Sequence, residues 1–170
     1  MWGADATATF TELEGAVTIF AAIDHCSADC VGMHAVKKAS RFEALEPIRQ
    51  GIKEHFGGFS GGVAVGLRLR HDHGSLYMSD DFQSEIQFLG IATSPAFVRP
   101  PEGNGCIERF FGTLKEQLLW VRRFRDLEEL RTALVEFRHR YNQHWIIHRL
   151  GYRTPAQARR EFTLELPVAA

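Results

Sequence analysis

Polar and apolar positions alternate from the first residues. Gly3, Asp5, Thr7 and Thr9 share one parity, and Trp2, Ala4, Ala6, Ala8 and Phe10 share the other. A period of two is that of a half-buried strand. A turn at 12–15 leads to a second strand over 16–23, and a turn at 24–29 leads to a third over 30–36. Connections this short predict an antiparallel meander. From Ser40 the period becomes helical, with Ser40 as N-cap and Phe42, Leu45, Ile48, Ile52 and Phe56 as the buried stripe. Glycines at 57, 58, 61 and 62 end that helix and open a loop.

A fourth strand over 63–70 delivers Asp72 just beyond its end, where open α/β sheets place functional groups. A short helix over 79–89 with Ser79 as cap and a brief fifth strand over 91–94 follow. The segment 95–105 holds three prolines and two glycines and is not regular structure. Ile107, Phe110, Phe111, Leu114 and Leu118 then mark the buried stripe of another helix, with Glu108, Gly112 and Lys115 on its other face. Seven residues make about two turns, so Lys115 projects on the side of Glu108. A last long helix starts near Asp126, with Glu129 in the capping-box position and Leu127, Leu130, Leu134, Phe137 and Tyr141 as its seam. Beyond Asn142 the pattern gives no clear element. The order β-β-β-α-β-α-β-α-α fits an α/β fold, a five-stranded mixed sheet flanked by helices.

Composition narrows the class. A chain of 170 residues, 45% apolar and 24% charged, fits one globular domain with a sizeable core. No apolar run approaches the ~20 residues of a membrane span, and the start lacks a basic-then-apolar signal, so a cytoplasmic protein is expected. Cys26, Cys30 and Cys106 are an odd number without a tight framework, which favours reduced thiols. The net charge is −1, but residues 109–160 carry twelve Lys and Arg against five Asp and Glu. Base collected in one third of a near-neutral chain permits a nucleic-acid footprint.

The candidate chemistry rests on three acids: Asp5, Asp72 and Glu108, the last two separated by thirty-five residues. Grouped carboxylates are what hard divalent cations require, since Mg²⁺ takes oxygen ligands and completes its shell with water and phosphate. A lone aspartate at a strand end is usually a turn or cap residue, and joint order and spacing are what lift these three above that. They are expected to converge on one metal-sized space. Asp80 and Asp81 suit the start of a helix and read as structural; Glu102 lies in the irregular segment and is left out. His71 and His73 read as supporting or surface groups, because histidine is a poorer Mg²⁺ ligand than carboxylate. His25, Cys26, Cys30 and His34 lack the clustered spacing of a zinc site. Asn104 either orients a phosphate or caps the Glu108 helix, and both roles are compatible. Lys115 is the best phosphate contact, and Arg122, Arg123 and Arg125 form either a DNA-binding cluster or a solvated turn.

Several blocks together resemble the integrase catalytic region of bacterial insertion-sequence transposases, relatives of retroviral integrases with a ribonuclease H-like fold. Trp2-x-x-Asp5-x-Thr7 looks like the first catalytic block. Ala22-Ile23-Asp24 is similar to the second-strand ending, and His71-Asp72-His73-Gly74-Ser75-x-Tyr77 to the second catalytic block. Asn104-x-x-x-Glu108-Arg109-Phe110-Phe111-x-Thr113-Leu114-Lys115 looks like the third. Tyr141-Asn142 with Leu150-Gly151-Tyr152-x-Thr154-Pro155 looks like the closing signature. Where the family often has Arg-Pro-His, this chain has Trp145-Ile146-Ile147-His148. The resemblance implies Asp5, Asp72 and Glu108 as catalytic, metal-holding triad. It implies Mg²⁺ (Mn²⁺ as substitute), DNA as substrate, and a homodimer or higher oligomer as the active complex. It divides the chain into a core over 1–150 and a tail over 151–170, without the helix-turn-helix region that finds the element's ends. Two rival readings are a non-catalytic DNA-binding or regulatory fragment and a host nuclease of the same fold; Thr154-Pro155 favours a transposase over the nuclease.

Overall fold

The computed structural model describes residues 1–95 and 104–164. Three strands form first: β1 (Trp2–Thr11), β2 (Gly15–Asp24) and β3 (Cys30–Val36). They make the predicted meander, with Asp5 opposite Ala21 and a bulge near Ala22 and Ile23. Helix α1 (Arg41–Phe56) starts at Ser40, whose side chain accepts from the Glu43 amide, and ends at Gly57 in the left-handed region. The strand β4 (Arg68–His71) pairs parallel to β1 and β5 (Ala92–Pro95) parallel to β4, giving the order β3-β2-β1-β4-β5. Between them lies α2 (Asp80–Phe88), capped by Ser79. Then come α3 (Gly105–Leu114), a π-helical turn (Lys115–Leu119), α4 (Leu127–His144) and α5 (Pro155–Leu164).

The sheet separates two cores. Trp2, Ala4, Phe20, Ala22 and Leu69 pack with α1 and α2 on one side; Val17, Ile19, Ala21 and Ile23 pack with α3 and α4 on the other. Gly32 permits the close seat of α1, because a Cβ there would stand 2.1 Å from the Pro47 carbonyl oxygen. Arg49 forks onto Glu85 at 2.6 and 2.5 Å and ties α1 to α2. After Leu114 the π-helical turn adds a residue to the winding, so that adjacent Leu118 and Leu119 both reach the core.

Four expectations need correction. The fourth strand is only four residues long, because 63–66 turn under the glycines at 62 and 66, both at positive φ. Phe42 and Phe56 are exposed; α1 buries Ala44, Leu45, Ile48, Gly51 and Ile52 instead. In α4, Leu127 is only half-buried, and Glu129 reaches back to the Arg125 amide at 2.8 Å rather than to the cap residue Asp126. Most of the expected irregular stretch, with Glu102, lies outside the described residues. The tail carries α5, which opens on Thr154: its hydroxyl accepts from the Gln157 amide and Gln157 accepts from the Thr154 amide, with Pro155 at the first helical position.

Asn142 of α4 clamps the start of β3, accepting from the Cys30 amide at 2.9 Å and donating to the Cys30 carbonyl at 3.0 Å, all buried. Replacing it by alanine strands the Cys30 amide, at about 1–3 kcal/mol, while the Cys30 carbonyl keeps its bond from Arg138. Asn142→Ala should therefore lower unfolding free energy by roughly 1–3 kcal/mol in urea titrations. A loss below half a kcal/mol would mean that water replaces the clamp.

Candidate active site

Asp5 stands mid-strand in β1. Its partner Ala21 belongs to the α3–α4 core, so the Asp5 side chain emerges on the α3 side of the sheet. Gly3 pairs with Arg70, which continues that side, and Asp72 follows just past the end of β4, near enough for its charge to act on Asp5. His71 turns the other way: it is fully buried, stacks on Tyr77 at 5.5 Å and meets Phe82 edge-on at 5.8 Å. Its Nδ1 lies 2.6 Å from the Asp72 carbonyl oxygen. Asp72 itself is exposed and accepts from the Gly74 amide at 2.8 Å. Glu108 is exposed in the first turn of α3, and Lys115 follows two turns later.

Electrostatics link the four. The Asp5 carboxyl is raised from its ordinary value of 3.8, first by burial; the Ala6 amide opposes this, the Asp72 and Glu108 charges add to it, and Lys115 lowers it. Asp5, Asp72, Glu108 and Lys115 thus share one electrostatic neighbourhood. The expected convergence is looser than that of a closed metal shell: among the described residues, no three His, Cys, Asp or Glu side chains stand close enough to hold an ion. Two of the carboxylates are drawn to backbone amides instead, Asp5 to that of Ala6 at 2.8 Å and Asp72 to that of Gly74.

Two side chains join the site that the sequence did not assign to it. Tyr77 is buried, its hydroxyl lacks a hydrogen-bond partner, and burial followed by the Asp5 and Asp72 charges holds its phenol well above 10. His25 shares with Asn104 the space over Gly3, where a Cβ would lie 2.4 Å from His25 Nε2 and 2.9 Å from Asn104 Oδ1. Both of those atoms are buried without partners. Burial and then the Arg70 charge lower the His25 pKa, which favours the neutral ring. Tyr77 sat in the second motif as a signal; His25 had none. Asn104 occupies the cap position of α3, but its side chain makes no cap bond; only its carbonyl accepts, from the Glu108 amide at 3.1 Å.

The remaining candidates lie elsewhere. Arg122 and Arg123 line a cleft with Phe10 and Thr11 at the far end of β1, roughly 15–20 Å along the strand from Asp5. Arg122 pairs with Glu129 at 2.8 Å and Arg125 with Asp126 at 2.7 Å. Asp81 pairs with Arg41. Cys30 is buried with Sγ 3.6 Å from the Gly32 carbonyl oxygen, and His34 Nε2 lies 2.5 Å from Glu43, so neither turns toward His25. His73 is exposed.

A mixed sheet of this order, flanked by helices on both faces, is the ribonuclease H-like fold of integrase catalytic cores. The bovine immunodeficiency virus integrase core superposes with a TM-score of 0.69 at 17% identity, covering 96% of this chain and 95% of that one. The HTLV-2 integrase catalytic core in complex with magnesium gives 0.68 at 19% identity, covering 92% and 93%. In sequence, residues 89–155 match the family described as integrase core domain, a stretch that contains Glu108 and Lys115 but neither aspartate. InsK of insertion sequence element IS150 from Escherichia coli is 30% identical over 93 residues, covering 55% of this chain and 33% of InsK. Transposase InsD of insertion element IS2 from Escherichia coli is 32% identical over 91 residues, covering 53% of this chain and 30% of InsD. Residues 89–155 thus resemble an integrase core domain, about half of the chain is similar to insertion-sequence transposases, and the fold is that of retroviral integrase cores. The chain spans about a third of the length of these two relatives.

A raised carboxyl costs stability when ionised. The penalty grows as pH rises from the unfolded-state value toward the raised folded-state one, is constant above that, and vanishes in acid. Asp5→Asn keeps an oxygen for the Ala6 amide and removes the charge. In EDTA at neutral pH the variant should melt a few degrees higher than the parent, with the gain fading as the solution is acidified. A variant that melts lower at pH 7 would show that the Asp5 charge is compensated.

Proposed function

We propose that this chain is the catalytic core of a DNA transposase, a polynucleotidyl transferase that cleaves and joins DNA strands with the help of divalent metal. The observation that carries this is the placement of Asp5, Asp72 and Glu108 on one side of the central strand, with Lys115 beside them. The donor set fits the group: three carboxylates and no thiol suit a hard cation, and the charges that raise the Asp5 carboxyl are ones a cation offsets. Asp5, Asp72 and Glu108 would hold Mg²⁺, with Mn²⁺ as substitute, and bound metal would supply the Lewis acidity on which phosphoryl transfer depends. Without phosphate and water, three side chains satisfy only part of an octahedral shell.

The protein's own contribution is positioning. Asp5 is fixed by the ladder to β2, two residues past the last pair with β4, and Glu108 by the first turn of a helix with a deeply buried stripe. Lys115 is set to meet a phosphate as a point charge. Asn104 turns its carbonyl oxygen over Gly3 rather than capping α3, which leaves its amide group for the DNA backbone. Phosphate contacts position without reading sequence. Arg122 and Arg123, remote from the acids, suit a second stretch of DNA or of another subunit; the relatives known as an intasome and as dimeric and trimeric cores make self-association the natural expectation.

Glu108→Gln keeps volume and helix while replacing an oxygen ligand by an amide that donates. In the full protein, on oligonucleotides bearing the element's ends with Mg²⁺ or Mn²⁺, Glu108→Gln should abolish cleavage and joining. Asp81→Asn, which loosens only a surface pair, should stay near normal. The reverse pattern would overturn the triad. Binding of non-specific DNA should weaken steeply as salt rises, log affinity falling linearly with log salt; salt-independent, sequence-selective binding by this core would place recognition here instead.

A further inference from the structure

Beside the acids lies a cleft of about 540 Å³ with no part in the reaction as proposed. Its walls come from α3 (Cys106, Arg109), from the end of α4 and the loop after it (Tyr141, Trp145, Arg149), and from His25. Among the described residues, no Asp or Glu lines it. Arg109 is exposed and makes no ion pair among the described residues. Arg149 donates to the His25 carbonyl at 3.2 Å and to Cys106 Sγ at 3.3 Å, groups that leave its positive charge uncancelled. Trp145 stacks along Tyr141 with ring centroids 6.4 Å apart and planes at 24°. The loop is held by an Ile147–Arg153 bridge and the 3-10 turn His148–Leu150, so the wall is built before any ligand arrives.

We propose that this cleft holds one unpaired nucleotide of the DNA strand, its base against Trp145 and its phosphate between Arg109 and Arg149. This rests on the strand-transfer reading above. An aromatic wall with cations at its rim and no acid matches the two faces of a nucleotide, a stacking ring and an anion. A duplex offers its outer backbone but no free ring face, so a concave, aromatic cleft discriminates in favour of an unstacked base. Arg109 follows Glu108 by one residue, roughly 100° around α3. His25, which closes the other end, shares with Asn104 the space over Gly3, two residues before Asp5. A strand crossing the acids therefore meets the cleft with its next nucleotide.

The test is anisotropy titration of the chain with fluorescein-labelled dT8, with the same length as duplex, and competition by thymidine monophosphate. Trp145→Leu and Arg109→Ala should each weaken dT8 binding about tenfold. Trp145→Phe, which keeps a ring and guards against misfolding, should retain most of it, and Lys53→Ala on distant α1 should change nothing. Duplex should bind more weakly than dT8 and be insensitive to Trp145→Leu. Unchanged dT8 binding in both cleft variants, or equal loss for duplex, overturns the proposal. Monophosphate competing as well as dT8 overturns the strand as ligand in favour of a free nucleotide. Glu108→Gln separates the two readings: it should bind dT8 normally yet fail in strand transfer, so cleft and triad can fail independently.

Discussion

β1 is hydrogen-bonded along both edges, antiparallel to β2 through ten paired positions and parallel to β4 at its start. That double ladder is the constraint on which the rest depends. Because side chains alternate across a strand, one register assigns Trp2 and Ala4 to the α1–α2 core and turns Gly3 and Asp5 toward α3. A slip by one residue would bury the carboxylate under α1 and put the indole among the acids. The large fully buried Trp2 makes that slip very unfavourable. A burial requirement at one position thus fixes the chemistry at another three residues away.

The same logic governs α3. Its stripe of Ile107, Phe110, Phe111 and Leu114 presses into the core under β2, where Phe110 meets Tyr141 edge-on at 4.9 Å. The helix cannot rotate without exposing those rings, so Glu108 and Lys115 are held at the Asp5 edge and Arg109 at the neighbouring cleft. Against this rigid frame the acids are mutually unfavourable: burial and the two neighbouring carboxylates push the Asp5 carboxyl up, and only Lys115 and one amide oppose them. Proteins keep such conflicts where function needs charge in reserve.

Much of this was legible in the sequence because periodicity reports burial. The meander, the caps Ser40, Ser79 and Asp126, and the α3 stripe all follow from spacing alone. What failed did so for physical reasons. The residues at 63–66 look like strand by their valines and alanine, but glycines at positive φ bend the chain before pairing begins. Phe42 and Phe56 have helical spacing yet flank the stripe that small Ala44 and Gly51 let approach the sheet, so apolarity misled where shape decided. In α5 the Thr154-Pro155-x-Gln157 start was present but unread. His25 and Asn104, seventy-nine positions apart in the chain, could not be paired from sequence, since their meeting depends on the fold that brings both over Gly3.

The closing segment shows how structural and functional demands share residues. Asn142 clamps Cys30, Arg138 donates to the carbonyls of Cys30 at 2.7 Å and Val31 at 2.9 Å, and Asp29 receives Arg159 of α5 at 3.1 Å. These contacts tie α4 and α5 to the turn between β2 and β3, the turn that also carries His25. Leu150 and Ala158 close over Ala28 from the same direction. The walls of the Trp145 cleft are therefore set by the contacts that brace β3, and β3 lies two strands from Asp5 in the sheet. Loosening the clamp would be felt first at the cleft and only then, through β2, at the carboxylates. Residues that resemble a family signature at the end of the chain thus act here by holding the turn, with no need to touch the reacting groups.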